Sequence, residues 1–229
     1  MLWLKGWMET RFRLLFAVAI VALAMLQVYR AGWEPRLGVQ GLFQSSLFLT
    51  VLFSLMFAGA GIATQPAFQE RKGLHESTFF TLSLPVSRFR LFAVRSGLGW
   101  LEMTGIIALM SSLWWALFPE RWGQPHPEDF FRHAVVLTAC ATGLYFMNVL
   151  LTTFLEHPWL IPASGAATAT LWLLLNYTPL PASVNIFHAI AQGSPLFTHA
   201  MPWPAMGFSF ALGGVLFLAA LKVVQSREY

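Results

Sequence analysis

Six hydrophobic runs constrain this chain more than any other feature. They cover residues 14–28, 42–64, 97–118, 134–155, 159–177 and 205–221. A span of a bilayer as a helix takes roughly 17–25 such residues. The first run is short by that measure and is extended by the helix expected before it. The breaks between runs carry turn chemistry: "GWEPRLG", "ATQPAF", "FPERWGQPHPED", "EHP" and "YTPLPAS" each contain proline, usually beside polar residues. In lipid every backbone amide and carbonyl must be satisfied within the protein, which leaves helices or a closed barrel. Runs of this length read as helices. The expected fold is therefore an all-α polytopic membrane protein, a single domain over residues 1–229 with six transmembrane helices.

Composition agrees. Hydrophobic residues make up 57% of the 229 and charged residues 10%, well short of the roughly 25% of a soluble domain. The net charge of +4 would suit a nucleic-acid partner if it were clustered, but its distribution fits topology instead. Counting with both termini in the cytoplasm, ten Lys and Arg fall inside (Lys5, Arg11, Arg13, Arg71, Lys72, Arg88, Arg90, Arg95, Lys222, Arg227). Four fall outside (Arg30, Arg36, Arg121, Arg132). The positive-inside rule then puts both termini, and the loop of residues 65–96, in the cytoplasm. The N-terminus "MLWLKGWMETRFR" is too charged and too rich in Trp for a cleavable signal peptide. A lone cysteine, Cys140, excludes an intrachain disulfide framework.

Residues 1–13 project as an amphipathic elbow helix. Lys5, Glu9 and Arg13 share one stripe, and Trp3, Leu4, Trp7, Met8 and Phe12 fill the opposite arc. Arg11 projects into the apolar arc. It either snorkels to water or pairs with Glu70 or Glu76 of the following cytoplasmic segment. Among polar residues in the runs, Glu102 shares a helical face with Arg95 and Gly99, which suggests a structural pair near the cytoplasmic boundary. Asn148, Gln44 and Asn176 are candidates for bonds across helices. The small residues of "FAGAGIAT", with Gly59 and Ala63 at i and i+4, and of "ALGG" suggest close helix approaches, within the subunit or at a dimer seam.

Catalytic and metal signatures are weak. His75-Glu76 lacks the second histidine of H-E-x-x-H, and the other histidines lie on different elements. Asp129, the only aspartate, is expected in a loop, and no G-x-S-x-G elbow occurs. The uncharged stretch 178–204 is expected outside, with residues 182–192 forming a short re-entrant or interfacial helix that ends at Gly193.

The cytoplasmic stretch "FQERKGLHESTFFTLSLPVSRFRLFAVRS" mixes five Lys and Arg with Phe79, Phe80, Leu82 and Leu84. Gly73 is a helix stop, Pro85 closes the middle part, and Ser87 is an N-cap for the helix that follows. Exposed apolar residues among charges read as a docking surface. Within it, Glu70, Arg71 and Gly73, followed by "LSLPVSR" over 82–88, resemble the cytoplasmic loop of type-2 ABC exporter permeases. The elbow, the six spans and the long final outer loop agree with that family, while "LHEST" departs from its usual sequence. The resemblance implies a coupling helix here, with Glu70, Arg71, Gly73, Glu76, Phe79, Phe80, Leu82, Pro85 and Arg88 seating on a separate ATPase subunit. It also implies a second permease subunit, identical or related, a location in the bacterial cytoplasmic (inner) membrane, and no enzymatic activity on this chain. ATP and Mg would belong to the partner, and the chain has no G-x-x-x-x-G-K-[ST] to cradle phosphates. A lipid-modifying intramembrane enzyme, an assembly factor without an ATPase partner, and a secondary transporter are the competing classes.

Overall fold

A computed structural model of the chain describes residues 2–30, 35–58, 87–117, 127–155 and 157–226. Those residues are all-helical. They form α1 (Leu2–Arg30), α2 (Pro35–Ala58), α3 (Arg88–Leu117), α4 (Pro127–Phe154) and α5 (His157–Tyr177). A 3-10 turn at Ala182–Val184 follows, then the short helices α6 (Ile186–Ile190) and α7 (Pro195–Thr198), and finally α8 (Trp203–Ser226). Each of the six hydrophobic runs falls on one of the long helices, although residues 59–64 and 118 lie outside the described residues.

Local chemistry sets the helix starts. The Ser87 hydroxyl accepts the Arg90 amide at 3.3 Å, capping α3. Helix α4 opens with Pro127, Glu128 and Asp129, a proline where no amide is needed and two acids where the helix dipole favours them. This corrects the expectation that Asp129 lies in a loop. Two further expectations change. Residues 2–30 form one uninterrupted helix, so the expected elbow does not break off from the first run; positions 7–31 contain no Gly or Pro to end it. The single helix expected over 182–192 is a 3-10 turn followed by α6, because the Asn185 side chain accepts the amides of Phe187 (3.0 Å) and His188 (3.2 Å) and so starts a new helix. Gly193 does close the segment, its amide reaching the His188 carbonyl at 2.8 Å.

Helix α4 is the axis of the bundle. It touches α2, α3, α5, α6, α7 and α8, while α1 packs on α3 and α2. The most apolar stretch of α4 is 61% buried, that of α8 only 17%, so α4 is enclosed and α8 is peripheral. The α4–α8 contact is close because glycines line it. A Cβ on Gly143 would meet Ser209 Oγ at 2.9 Å, and one on Gly213 would meet Phe146 Cδ2 at 3.2 Å. The "ALGG" approach is thus made within the subunit. We call the end holding the close of α2, the start of α3 and the close of α4 the near end, and the opposite one the far end.

Among the described residues two helices, α4 and α8, are long and apolar enough to cross a membrane, and Ser46–Ala58 is a shorter apolar stretch. The expectation of six such helices is not met on that measure. Arg90, Arg95 and Glu102 dilute α3, Pro162 with Ala, Ser and Thr dilutes α5, and the first half of α1 is charged. The exterior is nonetheless apolar on every long helix, with Phe16, Phe48, Trp115, Phe131, Trp172 and Leu218 all exposed. Water would penalise such a surface at about 25 cal/mol per Å². Together with α4 and α8 it marks a membrane-associated protein.

Candidate functional site

The expected coupling residues Glu70, Arg71, Gly73, Glu76, Phe79, Phe80, Leu82 and Pro85 lie outside the described residues, as do Gly59 and Ala63. The described chain resumes at Ser87, and Arg88 opens α3. Cations in a first helical turn work against the helix dipole. Arg90 is exposed there and gains nothing from that dipole.

Behind that start, α3 is tied to its neighbours by buried polar contacts. Tyr145 Oη of α4 donates to the Ser96 carbonyl at 2.7 Å. Trp100 Nε1 donates to Thr142 Oγ1 at 3.0 Å, and that hydroxyl donates to the Thr138 carbonyl. Gly99 sits where α2, α3 and α4 converge: a Cβ there would lie 2.6 Å from both the Phe57 carbonyl oxygen and Tyr145 Oη. Glu102, on the same face, is buried and close enough to Tyr145 to act on it electrostatically. Asn148 bonds across helices, its Nδ2 donating to Ser54 Oγ at 3.2 Å, and the Ser54 hydroxyl donates in turn to the Val51 carbonyl at 2.7 Å. Asn176 also reaches out of its helix, accepting from Asn185 Nδ2 at 3.1 Å. The Gln44 side chain is outside the described residues. Arg11 is exposed, its guanidinium 5.0 Å from the Phe12 ring centre; Glu70 and Glu76, the partners expected as its alternative, lie outside the described residues.

Sequence reasoning missed a polar clasp at the far end. Asp129 is buried in the first turn of α4 and meets His199 Nδ1 at 2.9 Å. Arg132 pairs with Glu128 at 2.6 Å and Asp129 at 3.7 Å, and donates to the His199 carbonyl at 3.3 Å. One turn further along, His133 Nδ1 lies 2.8 Å from Ser194 Oγ, which also accepts the Leu196 amide and caps α7. His199, at φ 52°, is the one non-glycine among the described residues in the left-handed region. A strained backbone of this kind persists where its surroundings hold it, here the Asp129 carboxylate and the Arg132 guanidinium. The local signal was "PED": a proline with two acids marks a helix start and puts Asp129 and His133 on one face at i and i+4.

Chemically the clasp is two pairs and not one relay. A nucleophilic triad needs one histidine to hold both the acid and the hydroxyl. Here Asp129 holds His199 while Ser194 holds His133. Among the described residues no group of three or more His, Cys, Asp or Glu is arranged to hold a metal ion. What the clasp does is fasten the α6–α7 segment and the entry to α8 onto α4.

No family model, curated protein or solved structure matches the chain.

Proposed function

We propose that the chain is the membrane-spanning permease subunit of an ATP-driven exporter, forming the translocation path with a second such subunit and coupled to separate ATPase subunits. One observation carries the reading: the segment "ERKGLHESTFFTLSLPVSR" resembles the cytoplasmic loop of type-2 ABC exporter permeases and runs straight into the capped start of α3. Three features support it. The six long helices coincide with the six hydrophobic runs. Two short helices, α6 and α7, stand between α5 and α8, where the family carries re-entrant or interfacial elements. Counted along the sequence, Lys and Arg divide ten to four in favour of the side that holds both termini and the loop of residues 65–96.

In this reading all six long helices cross the bilayer, with the near end and both termini in the cytoplasm. Helix α4 is more enclosed than α8; Arg11 and Arg13 of α1 and Arg90 and Arg95 of α3 sit toward the near end, where they reach the headgroups. ATP-driven closure of the partner subunits pushes on residues 68–88 and tilts α3, and its contacts with α4 carry the displacement inward.

The test is whether a reading frame beside this one encodes a P-loop ATPase, and whether that ATPase co-purifies with this chain. Combined F79A, F80A and L82A changes should reduce recovery of the complex at least about tenfold, as expected for apolar anchors at an interface centre. An undisturbed complex, or failure of the unaltered chain to bind any such ATPase, sinks the reading.

A further inference from the structure

Helix α2 packs chiefly on α4, and the two run in the same direction, both closing at the near end. Ser46, Thr50 and Ser54 of α2 stand at i, i+4 and i+8, and all three are fully buried, as is Asn148 of α4. Asn148 Nδ2 donates to Ser54 Oγ, while the Ser54 hydroxyl donates to the Val51 carbonyl. Ser54 therefore only accepts from Asn148, which fixes the amide with its NH2 toward Ser54. Its Oδ1 is left without a hydrogen-bond partner among the described residues.

Thr50 lies one turn toward the far end from Ser54, and its hydroxyl also has no partner among the described residues. Buried hydroxyls in a helix usually turn back onto a carbonyl of that helix. Thr142, Thr152 and Thr153 of α4 all do so. Thr50 does not. The seam thus holds an unused acceptor on α4 and an unused donor on α2. Four residues part Thr50 from Ser54, about 6 Å along the axis. Shifting α4 by one turn toward the far end, relative to α2, brings donor and acceptor together. Thr50 then donates to Asn148 Oδ1, and Ser54 keeps its bond to the Val51 carbonyl. Each register satisfies one side of the Asn148 amide and leaves the other side open.

We infer that α2 and α4 form a two-position ratchet, in which Asn148 exchanges Ser54 for Thr50 as α4 moves one turn toward the far end. Packed helices change register in discrete steps of this size. Helix α3 moves with α4, to which Tyr145 and Trp100 bond it. Its closest approach to α2 is at Gly99, which has no Cβ to catch on the Phe57 carbonyl as that passes. The structure holds the Ser54 register. A push from the loop before Ser87 acts toward the Thr50 register, so the ratchet supplies a step for the proposed function. Its basis is the α2–α4 seam and needs no ATPase partner.

The test uses the full chain in phospholipid vesicles, with C140A removing its one cysteine. Disulfide formation under copper phenanthroline is followed for three pairs: S54C with N148C, T50C with N148C, and L52C with N148C. Leu52 stands between the other two in height but on another face of α2. The Ser54 pair should close fastest. The Thr50 pair should close about 10–100-fold more slowly yet to completion, as a minor register of about 1–10% is trapped. The Leu52 pair should stay open. A Thr50 pair no faster than the Leu52 pair, or three pairs closing alike, overturns the ratchet. An independent measurement keeps Asn148 intact: T50V deletes a hydroxyl unpartnered in this register, so Tm should rise by about 2–4 °C. A Tm that stays or falls means that Thr50 is already bonded, and overturns the ratchet as well. Failure of the chain to bind an ATPase refutes the exporter reading alone, because neither measurement contains that partner.

Discussion

Adding a single methyl group at Gly99 tests how tightly the near end is built. A Cβ there lies 2.6 Å from the Phe57 carbonyl oxygen and 2.6 Å from Tyr145 Oη, whereas ordinary contact starts at 3.4 Å. Alanine thus demands a retreat of about 0.8 Å, by a backbone carbonyl on one side and by a hydroxyl anchored to the Ser96 carbonyl on the other. Overpacking of this kind costs about 1–3 kcal/mol, and a weakened Tyr145 hydrogen bond adds about 1 kcal/mol. Working the other way, alanine gains about 0.5–1 kcal/mol over glycine inside a helix. The net loss is about 1–3 kcal/mol, or roughly 3–10 °C in Tm for a chain of this length. Gly105, on the same helix, has nothing within 4 Å, so G105A keeps the gain without the clash. Thermal unfolding in detergent should place G99A several degrees below the unaltered chain and G105A at or above it. Because removing the hydroxyl removes one of the two clashes, Y145F with G99A should cost less than the sum of the single changes. If G99A and G105A melt together, the three helices do not converge on Gly99 as described.

The α4–α8 seam and the far-end clasp give two further expectations. Leucine at Gly213 must displace Phe146 and Thr142, whereas Gly214 has nothing within 4 Å; G213L should lower Tm by several degrees and G214L should not. D129N removes the buried charge that holds His199 and Arg132, with a loss of about 2 kcal/mol, and hydrogen exchange should quicken across residues 194–202 while the near end stays unchanged.

The long helices were legible because a hydrophobic run of spanning length leaves the backbone no other internal partner. Ser87 was legible for a related reason: a cap involves only the residue and the amide three positions on. Asn148 stood out as an amide in an apolar run, and such groups seek a partner across the interface. The clasp was hidden because its contacts join residues 61 and 70 positions apart, a separation that only the packing of α6 and α7 on α4 closes. Asp129 was misplaced by weighting Pro125 and Pro127 as breakers when the second of them opens a helix. The elbow was expected from the charge pattern, which is a surface property; the continuity of α1 follows from the absence of a Gly or Pro to stop it. Among the described residues α3 and α5 are long enough but fall below the apolarity of α4 and α8, because charge and small polar residues dilute them.

These contacts give α4 a definite mechanical place under the proposed function. At the near end it is bonded to α3 through Tyr145 and Thr142, and to α2 through Asn148. At the far end Asp129 and His133 hold the α6–α7 segment. Between them the glycine-lined seam keeps α8 in close register with α4. A helix held at both ends and packed along its length transmits displacement as a rod, because close-packed interiors do not absorb strain by compression. Movement of α3 driven from the loop before Ser87 therefore reaches the far-end cap through α4, without requiring any change in the lipid-facing helices α1 and α5. Weakening the near-end contacts and weakening the clasp should consequently uncouple export in the same way, leaving ATPase binding intact. If Y145F and D129N instead differed in kind, one abolishing complex assembly and the other export, α4 would not be the connecting element.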